Sequence, residues 1–158
     1  MFQWVDYETK HAQLIDSWLD TDAIAMTGID DGWDHYWLAV KADAVNYPGC
    51  KDFCKVIYAD SVPFAVICFG VYHDEMTISE VVVAPRWRGM GKGSQLISEL
   101  VESARMQWPR EVKRISAVVF PQNRASQKAF RNAGFQLTGK TGDGVDFIFT
   151  FTLEGDKS

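Results

Sequence analysis

The residues Arg88-Gly89-Met90-Gly91-Lys92-Gly93 place three glycines at alternate positions, with Arg88 ahead of them and Lys92 among them. Directly behind them Leu96, Ile97, Leu100, Val101 and Ala104 have helical spacing, so the run spans a loop and the start of a helix. Glycine lets successive N–H groups turn the same way and lets a ligand approach without meeting a Cβ atom. The first amides of a helix lack intrahelical partners, and the helix dipole adds partial positive charge there. The chemistry this suits is capture of a phosphate or pyrophosphate, with Arg88 and Lys92 adding formal charge. Two common phosphate loops are excluded by spacing. A P-loop needs Ser or Thr directly after Gly-Lys, and Gly93 stands there; the dinucleotide fingerprint GxGxxG is absent because these glycines run GxGxG.

Such a loop must be held by a strand before it and a helix after it, and the rest of the chain supplies a frame. Residues 2–7 read as a first strand. Leu14, Ile15, Trp18 and Leu19 predict one amphipathic helix over 11–26, and 28–45 reads as a loop followed by a short helix. Strand-like runs at 54–59, 63–73 and 77–84 are separated by turn residues and predict an antiparallel meander. Pro109 fits a stop after the helix that follows the glycines, and residues 114–120 are a β-branched strand. Asn123 is a candidate N-cap for a short helix ending at Gly134. The tail reads as two strands around a glycine-rich turn, with Phe147, Phe149 and Phe151 alternating. The order predicts a single α/β (α+β) domain with a mixed sheet of about six to seven strands and about four helices.

Composition narrows the function classes. The 158 residues suffice for one core. The longest apolar stretch, 62–72, is shorter than the roughly 18 to 20 residues that cross a bilayer, and the N-terminus lacks a basic, apolar leader pattern, so a cytoplasmic location is expected and a membrane is not. Cys50, Cys54 and Cys68 are odd in number and without a CxxC pair, which suggests neither a disulfide framework nor a metal site. Residues 1–85 carry 14 Asp/Glu against 4 Lys/Arg, and 86–158 carry 7 against 12, within a net charge of −5. An acidic half beside a basic half suits two ligands of opposite sign; sequence pI ≈ 5.1 argues against nucleic acid.

The glycine run resembles the acyl-CoA-binding motif of the GNAT superfamily, the GCN5-related N-acetyltransferases, written Q/R-x-x-G-x-G/A. Arg88, Gly91 and Gly93 take its fixed positions, and the preceding Val83-Ala84-Pro85 matches the family's strand end. About thirty residues on, Asn123, Phe130, Gly134 and Phe135 resemble the second signature, a helix opened by Asn and closed by Gly-Phe. The resemblance spans about 78–135 and implies an acyl-CoA N-acyltransferase fold, with this segment as the CoA-binding core and 1–60 as the acceptor side.

What the resemblance implies can be carried onto single residues. Backbone amides over Arg88, Gly89, Met90, Gly91, Lys92, Gly93 and Ser94 would hold the pyrophosphate of acetyl-CoA. Main-chain groups of Val81 and Val83 would meet the pantetheine arm, and Asn123 stands at the family's cofactor-side Asn, where it equally fits a simple N-cap. No metal is implied. The reaction would move an acetyl group from the thioester to a primary amine, directly within a ternary complex. An alkylammonium of pKa about 10.4 must first lose a proton, and Glu80, beside the expected thioester, is the candidate base. Side-chain parity is the open point there, because a strand bulge is common in this family.

Phe130 stands where the family often has a tyrosine, so a proton for the departing thiolate comes from water or another group, Tyr72 among the candidates, or the thiolate leaves unaided. This departure keeps a non-catalytic CoA-binding or regulatory module as the alternative. Asp16, Asp20, Asp22, Asp30, Asp31 and Asp34, interleaved with Trp18, Trp33, Tyr36 and Trp37, fit either a cationic amine acceptor or a solvated helix face over buried tryptophans. A polyamine, an aminoglycoside-like sugar, an amino acid and a protein amine remain open as acceptors, and the aromatic C-terminal strands leave a homodimer open.

Overall fold

In the computed structural model, which describes residues 1–153, β1 (Gln3–Asp6) leads to three helices, α1 (Ala12–Trp18), α2 (Thr21–Thr27) and α3 (Trp33–Asp43). The meander follows as β2 (Lys51–Ala59), β3 (Val62–Tyr72) and β4 (Glu75–Val83). Helix α4 (Lys92–Arg105), β5 (Arg114–Val119), α5 (Arg124–Asn132), β6 (Gln136–Lys140) and β7 (Phe147–Thr152) complete the chain. The strands form one sheet in the order β1-β2-β3-β4-β5-β7-β6. Its neighbours pair antiparallel except β4 and β5, which are parallel because α4 crosses between them. Among the described residues no helix is long and apolar enough to cross a membrane.

The expected architecture of a mixed sheet and its meander is observed, with five α-helices among the described residues instead of about four. The helix expected over 11–26 is two. Asp20 adopts an extended conformation and accepts the Ala23 N–H through its carboxylate at 2.9 Å, so it caps a new helix. The break also alters the buried face: His11, Ile15 and Trp18 are buried at i, i+4 and i+7, while Leu14 is exposed.

Each face of the sheet has its own core. On one, Leu96, Ile97, Leu100 and Val101 of α4 and Phe130 of α5 pack against Ile67, Phe69, Met76, Ile78, Ile115 and Phe149. On the other, Ile15, Trp18 and Trp33 from α1 and α3 cover Cys54, Val56, Val66, Cys68 and Val82. From Ala65 onward the odd residues of β3 therefore face α4 and α5 and Val66 and Cys68 face α1 and α3, the alternation of a strand buried on both sides; Phe64, ahead of them at an irregularity in the pairing with β2, joins the α4 side.

That alternation fixes what happens in β4. Its register slips where Phe69 pairs with Ile78 but Cys68 pairs with Glu80, leaving Ser79 as the extra residue of a β-bulge. Before the bulge the even residues Met76 and Ile78 face α4; after it Val81 and Val83 do, and the even Val82 lies against α1 and α3. The β4–β5 pairing ends at the same place, with Ile78 opposite Ala117 as its last pair. Beyond Ser79 the edge of β4 that faced β5 is unpaired by that strand.

The docking of α4 carries the loop ahead of it, and Leu100 is its central contact at 1% exposed. Leu100→Ala is expected to cost about 2–5 kcal/mol of unfolding free energy, measured by denaturant titration.

Candidate active site

The loop ahead of α4 forms by glycine geometry. A one-turn helix at Pro85–Trp87 ends β4's exit, and Gly89 and Gly91 then take φ of 76° and 77°, the left-handed region that side chains disfavour. No atom lies within 4 Å of a Cβ built on either, so backbone conformation and not crowding selects glycine there. Gly93 differs: it is already helical, and its added Cβ would rest 3.7 Å from that of Ala129. That is an ordinary contact distance, so α4 and α5 lie close at Gly93 without a crowding that would demand glycine there. Gln95 donates to the Gly91 carbonyl at 3.1 Å as the first bond of the helix, so the amides of Lys92, Gly93 and Ser94 lie ahead of the intrahelical ladder.

These amides border a cleft of about 480 Å³ between the parted β4 and the two helices behind it. Val81, Val83, Arg88, Gly89, Gly91, Lys92, Gly93, Ser94 and Asn123 all line it. The structure thus brings together the sequence-nominated residues, with two exceptions. Met90 is exposed at the loop's outer turn and does not line the cleft, and Glu80 lies in a smaller adjoining cavity of about 40 Å³. Val81, Asn123, Ser126, Phe130 and Met26 border both cavities, which meet at the bulge.

The formal charges of the loop are not free for a ligand in the way the motif suggests. The Arg88 guanidinium donates to the Val83 carbonyl, to the Trp18 carbonyl and to the Asp20 carboxylate. The Val83 carbonyl, expected to face a ligand, is thereby engaged from within the chain. The Lys92 ammonium sits over the rings of Phe2, Phe64 and Trp87, at 5.4, 6.0 and 5.4 Å from their centroids. Lys128 of α5 also lines the cleft, one turn from Ala125 on the same helix face, whereas Arg124 does not. Asn123 caps α5, accepting the Ser126 N–H at 3.1 Å, so the N-cap role holds alongside its position on the cleft.

The bulge decides where Glu80 points. Without the extra residue it would share the α4 face with Ile78; with it, Glu80 stands opposite Cys68 on the α1–α3 face. Burial pushes its carboxyl up to about 8, only partly offset by the Val81 N–H. Tyr36 of α3 lies against the same spot, close to Cys68, Ser79 and Glu80, and burial raises its hydroxyl well above the usual tyrosine range. Sequence reading placed Tyr36 only among the acceptor-side aromatics. Its register toward Glu80 depends on a bulge that has no one-residue signal. Burial also pushes the Cys54 thiol up to about 12 and Cys68 higher still, so neither is a ready thiolate.

Several acidic and aromatic residues of the N-terminal half turn out to be structural. Asp16 accepts the Trp33 N–H at 2.8 Å, Asp34 accepts the Tyr7 hydroxyl at 2.8 Å, and Asp20 holds Arg88. Trp18 and Trp33 are buried in the core and offer no face to a ligand. Asp22, Asp30 and Asp31 stay exposed, and Asp22 lines the cleft. Among the described residues no cluster of three or more His, Cys, Asp or Glu is arranged to hold a metal ion.

The acetyltransferase (GNAT) family profile matches residues 11–135, most of the chain. The chain belongs to the GNAT acetyltransferase family, enzymes that use acetyl-CoA as acyl donor. Among solved structures it is similar to aminoglycoside acetyltransferase AAC(6')-Ib in complex with coenzyme A, with a TM-score of 0.77 at 18% identity, covering 98% of this chain and 96% of that one. The same enzyme with ribostamycin and coenzyme A gives 0.78 at 17%, over 99% and 96%. Campylobacter jejuni N-acetyltransferase PseH in complex with acetyl-CoA gives 0.64 at 16%, over 96% and 99%. At these identities the likeness is one of fold. No curated protein sequence matches the chain.

The raised Glu80 pKa has a stability consequence with a definite sign. The folded protein keeps a proton that the unfolded chain releases near pH 4.5, so stability is lost as pH rises from there through about 8. Glu80→Gln removes that loss. Its melting temperature should match wild type near pH 4.5, exceed it increasingly up to about pH 8, and hold a constant lead above, as read by thermal denaturation across pH.

Proposed function

We propose that the protein transfers an acetyl group from acetyl-CoA to a primary amine of a basic small molecule, by direct attack within a ternary complex. The observation that carries this reading is the bulge at Ser79. It parts β4 from β5 to open an unpaired strand edge, and it turns a carboxyl of pKa about 8 toward the gap.

In this reading the amides over 88–94 and the N-terminus of α4 hold the pyrophosphate, and Lys92 and Lys128 add positive charge at the cleft. The free edge of β4 at Val81 offers main-chain groups to the extended pantetheine arm. Asn123 orders the start of α5 beside it. Glu80 takes a proton from the acceptor ammonium. The freed nitrogen lone pair attacks the thioester carbonyl, an N–C bond forms, the C–S bond breaks with its electron pair leaving on sulfur, and the second proton shed by the nitrogen passes to the departed thiolate, giving the amide and the CoA thiol. A base with a pKa close to working pH holds enough of its unprotonated form while still accepting a proton effectively.

Phe130, 4% exposed among Phe135 and Phe149, donates no proton to the leaving sulfur. A thiolate whose thiol has a pKa of about 8 to 9 leaves without such help. The high pKa of both buried cysteines supports direct transfer over an acyl-enzyme. The acidic residues left exposed beside the α1–α3 face, Asp22, Asp30 and Asp31, support a cationic acceptor. The solved structures of AAC(6')-Ib with kanamycin and with ribostamycin make amino sugars the first acceptors to try.

The test follows CoA thiol release with acetyl-CoA and a panel of amines that includes amino sugars, polyamines and amino acids. Turnover on at least one basic amine is expected, with kcat/KM rising through about pH 8. Glu80→Gln should lower the rate about 10²- to 10⁴-fold near neutral pH and less at high pH, where free amine is abundant. Binding of CoA with no turnover on any amine would favour a binding module instead. An unchanged pH profile in Glu80→Gln would remove Glu80 as the base.

A second expectation concerns Phe130. Phe130→Tyr should leave acetyl-CoA affinity within about twofold, since one hydroxyl is added at a ring already bordering the cavities. Calorimetric titration with CoA checks this, and a large loss would mean that α5 is packed too tightly there to accept it.

A further inference from the structure

We infer that Arg88 is a positioning residue: its guanidinium pins the corner between α1 and α2 to the end of β4 and thereby holds α2 as a wall of the cleft. Its place in the glycine motif suggests a phosphate contact, but its donors are committed elsewhere. Nε donates to the Val83 carbonyl at 2.9 Å, Nη2 to the Trp18 carbonyl at 2.8 Å, and Nη1 to both oxygens of Asp20 at 2.9 and 3.2 Å. One planar fork thus joins the exit of β4, the last residue of α1 and the cap of α2. A lysine, a single point of charge, cannot span the three.

Helix α2 needs such a device. None of its residues is buried, so no core packing fixes its direction. Its far end closes at Gly28 in a left-handed conformation, φ 74°, with open space around the position. Yet Asp22, Ala23, Met26 and Thr27 line the larger cleft, and Met26 also borders the cavity beside Glu80. Just past the far end Ile29, 6% exposed, is anchored in the α1–α3 core, and the near end must supply the second tether that sets where this wall stands. Asp20 does two jobs there, accepting the Ala23 N–H at 2.9 Å as the helix cap and receiving Arg88. Both interactions hold its carboxyl below the usual range, the Ala23 amide foremost.

An exposed ion pair alone would contribute little, and both side chains are part-exposed, 33% for Arg88 and 41% for Asp20. The strut's effect comes from joining that pair to two carbonyls from separate segments. The backbone amides of the loop then border the cleft, while Arg88 braces its far wall. The consequence for catalysis rests on the function proposed above; the structural claim does not.

The experiment compares wild type with Arg88→Gln, Arg88→Lys, Asp20→Asn and the Arg88→Gln/Asp20→Asn double variant. Asparagine is as good an N-cap as aspartate, so Asp20→Asn removes the charge pair and keeps the cap. Hydrogen exchange of peptides covering 19–28 is expected to speed up about tenfold in each single variant, Arg88→Lys included, and no further in the double. CoA affinity by calorimetry should stay within about threefold throughout, while KM for the amine rises more than KM for acetyl-CoA. A tenfold or greater loss of CoA affinity in Arg88→Gln, restored by Arg88→Lys and absent in Asp20→Asn, would make Arg88 a phosphate ligand and overturn the proposal. Unchanged exchange over 19–28 in Asp20→Asn and Arg88→Gln alike would also overturn it. Absence of CoA binding by wild type would count against the proposed function, and the exchange comparison would still decide for or against the strut.

Discussion

The extra residue Ser79 in β4 is the constraint on which the site depends. Through the middle of the sheet both faces carry a core, so a shift of one residue moves a side chain from one core to the other. Inserting one residue between Ile78 and Glu80 lets Met76 and Ile78 pack under α4 while Glu80 and Val82 face α1 and α3. The cost is a broken ladder, and the parallel pairing with β5 stops at that point. What is lost as sheet becomes a gap lined by unpaired backbone. In the same stroke an acidic side chain is placed in surroundings that keep its proton until near neutral pH.

The glycine loop and the parted strands then form one continuous surface. Gly89 and Gly91 turn the chain so that α4 starts with its amides toward the cleft, and α5 lies against α4 with Asn123 at its head. The two helices are held by the aromatic and aliphatic core beneath them, so the cleft's back wall is rigid. Its front wall is α2, none of whose own residues is buried. The cleft thus stands between a packed wall and a braced wall.

Charge is distributed on the same logic. Asp16 and Asp34 fix α3 through Trp33 and Tyr7, and Asp20 fixes α2 through Arg88. Glu99 of α4 accepts the Phe2 N–H and the Trp4 indole N–H, tying the N-terminal strand across the sheet to the helix of the glycine loop. Much of the acidic half is therefore spent on holding helices to the sheet. The residue count overstated how much of it faces a ligand, and the exposed Asp22, Asp30 and Asp31 are what remain.

The sequence alone determined the strands of the meander, the helix after the glycines, the Asn-capped α5 and the family, because these rest on local signals: period, turn residues, caps and glycine spacing. It also placed the loop, Val81, Val83 and Asn123 at one site. It missed the break between α1 and α2, although Asp20 was a legible cap, because the apolar spacing across it still suited one helix. Only tertiary structure decided the side to which Glu80 points, the approach of Tyr36 from α3, and the turning of Arg88 toward Asp20 and Trp18. The physical reason is common to all three. A bulge shifts parity by the pairing of two strands, and an arginine's partners are chosen by segments that meet only after folding. Neither leaves a mark on the residues themselves.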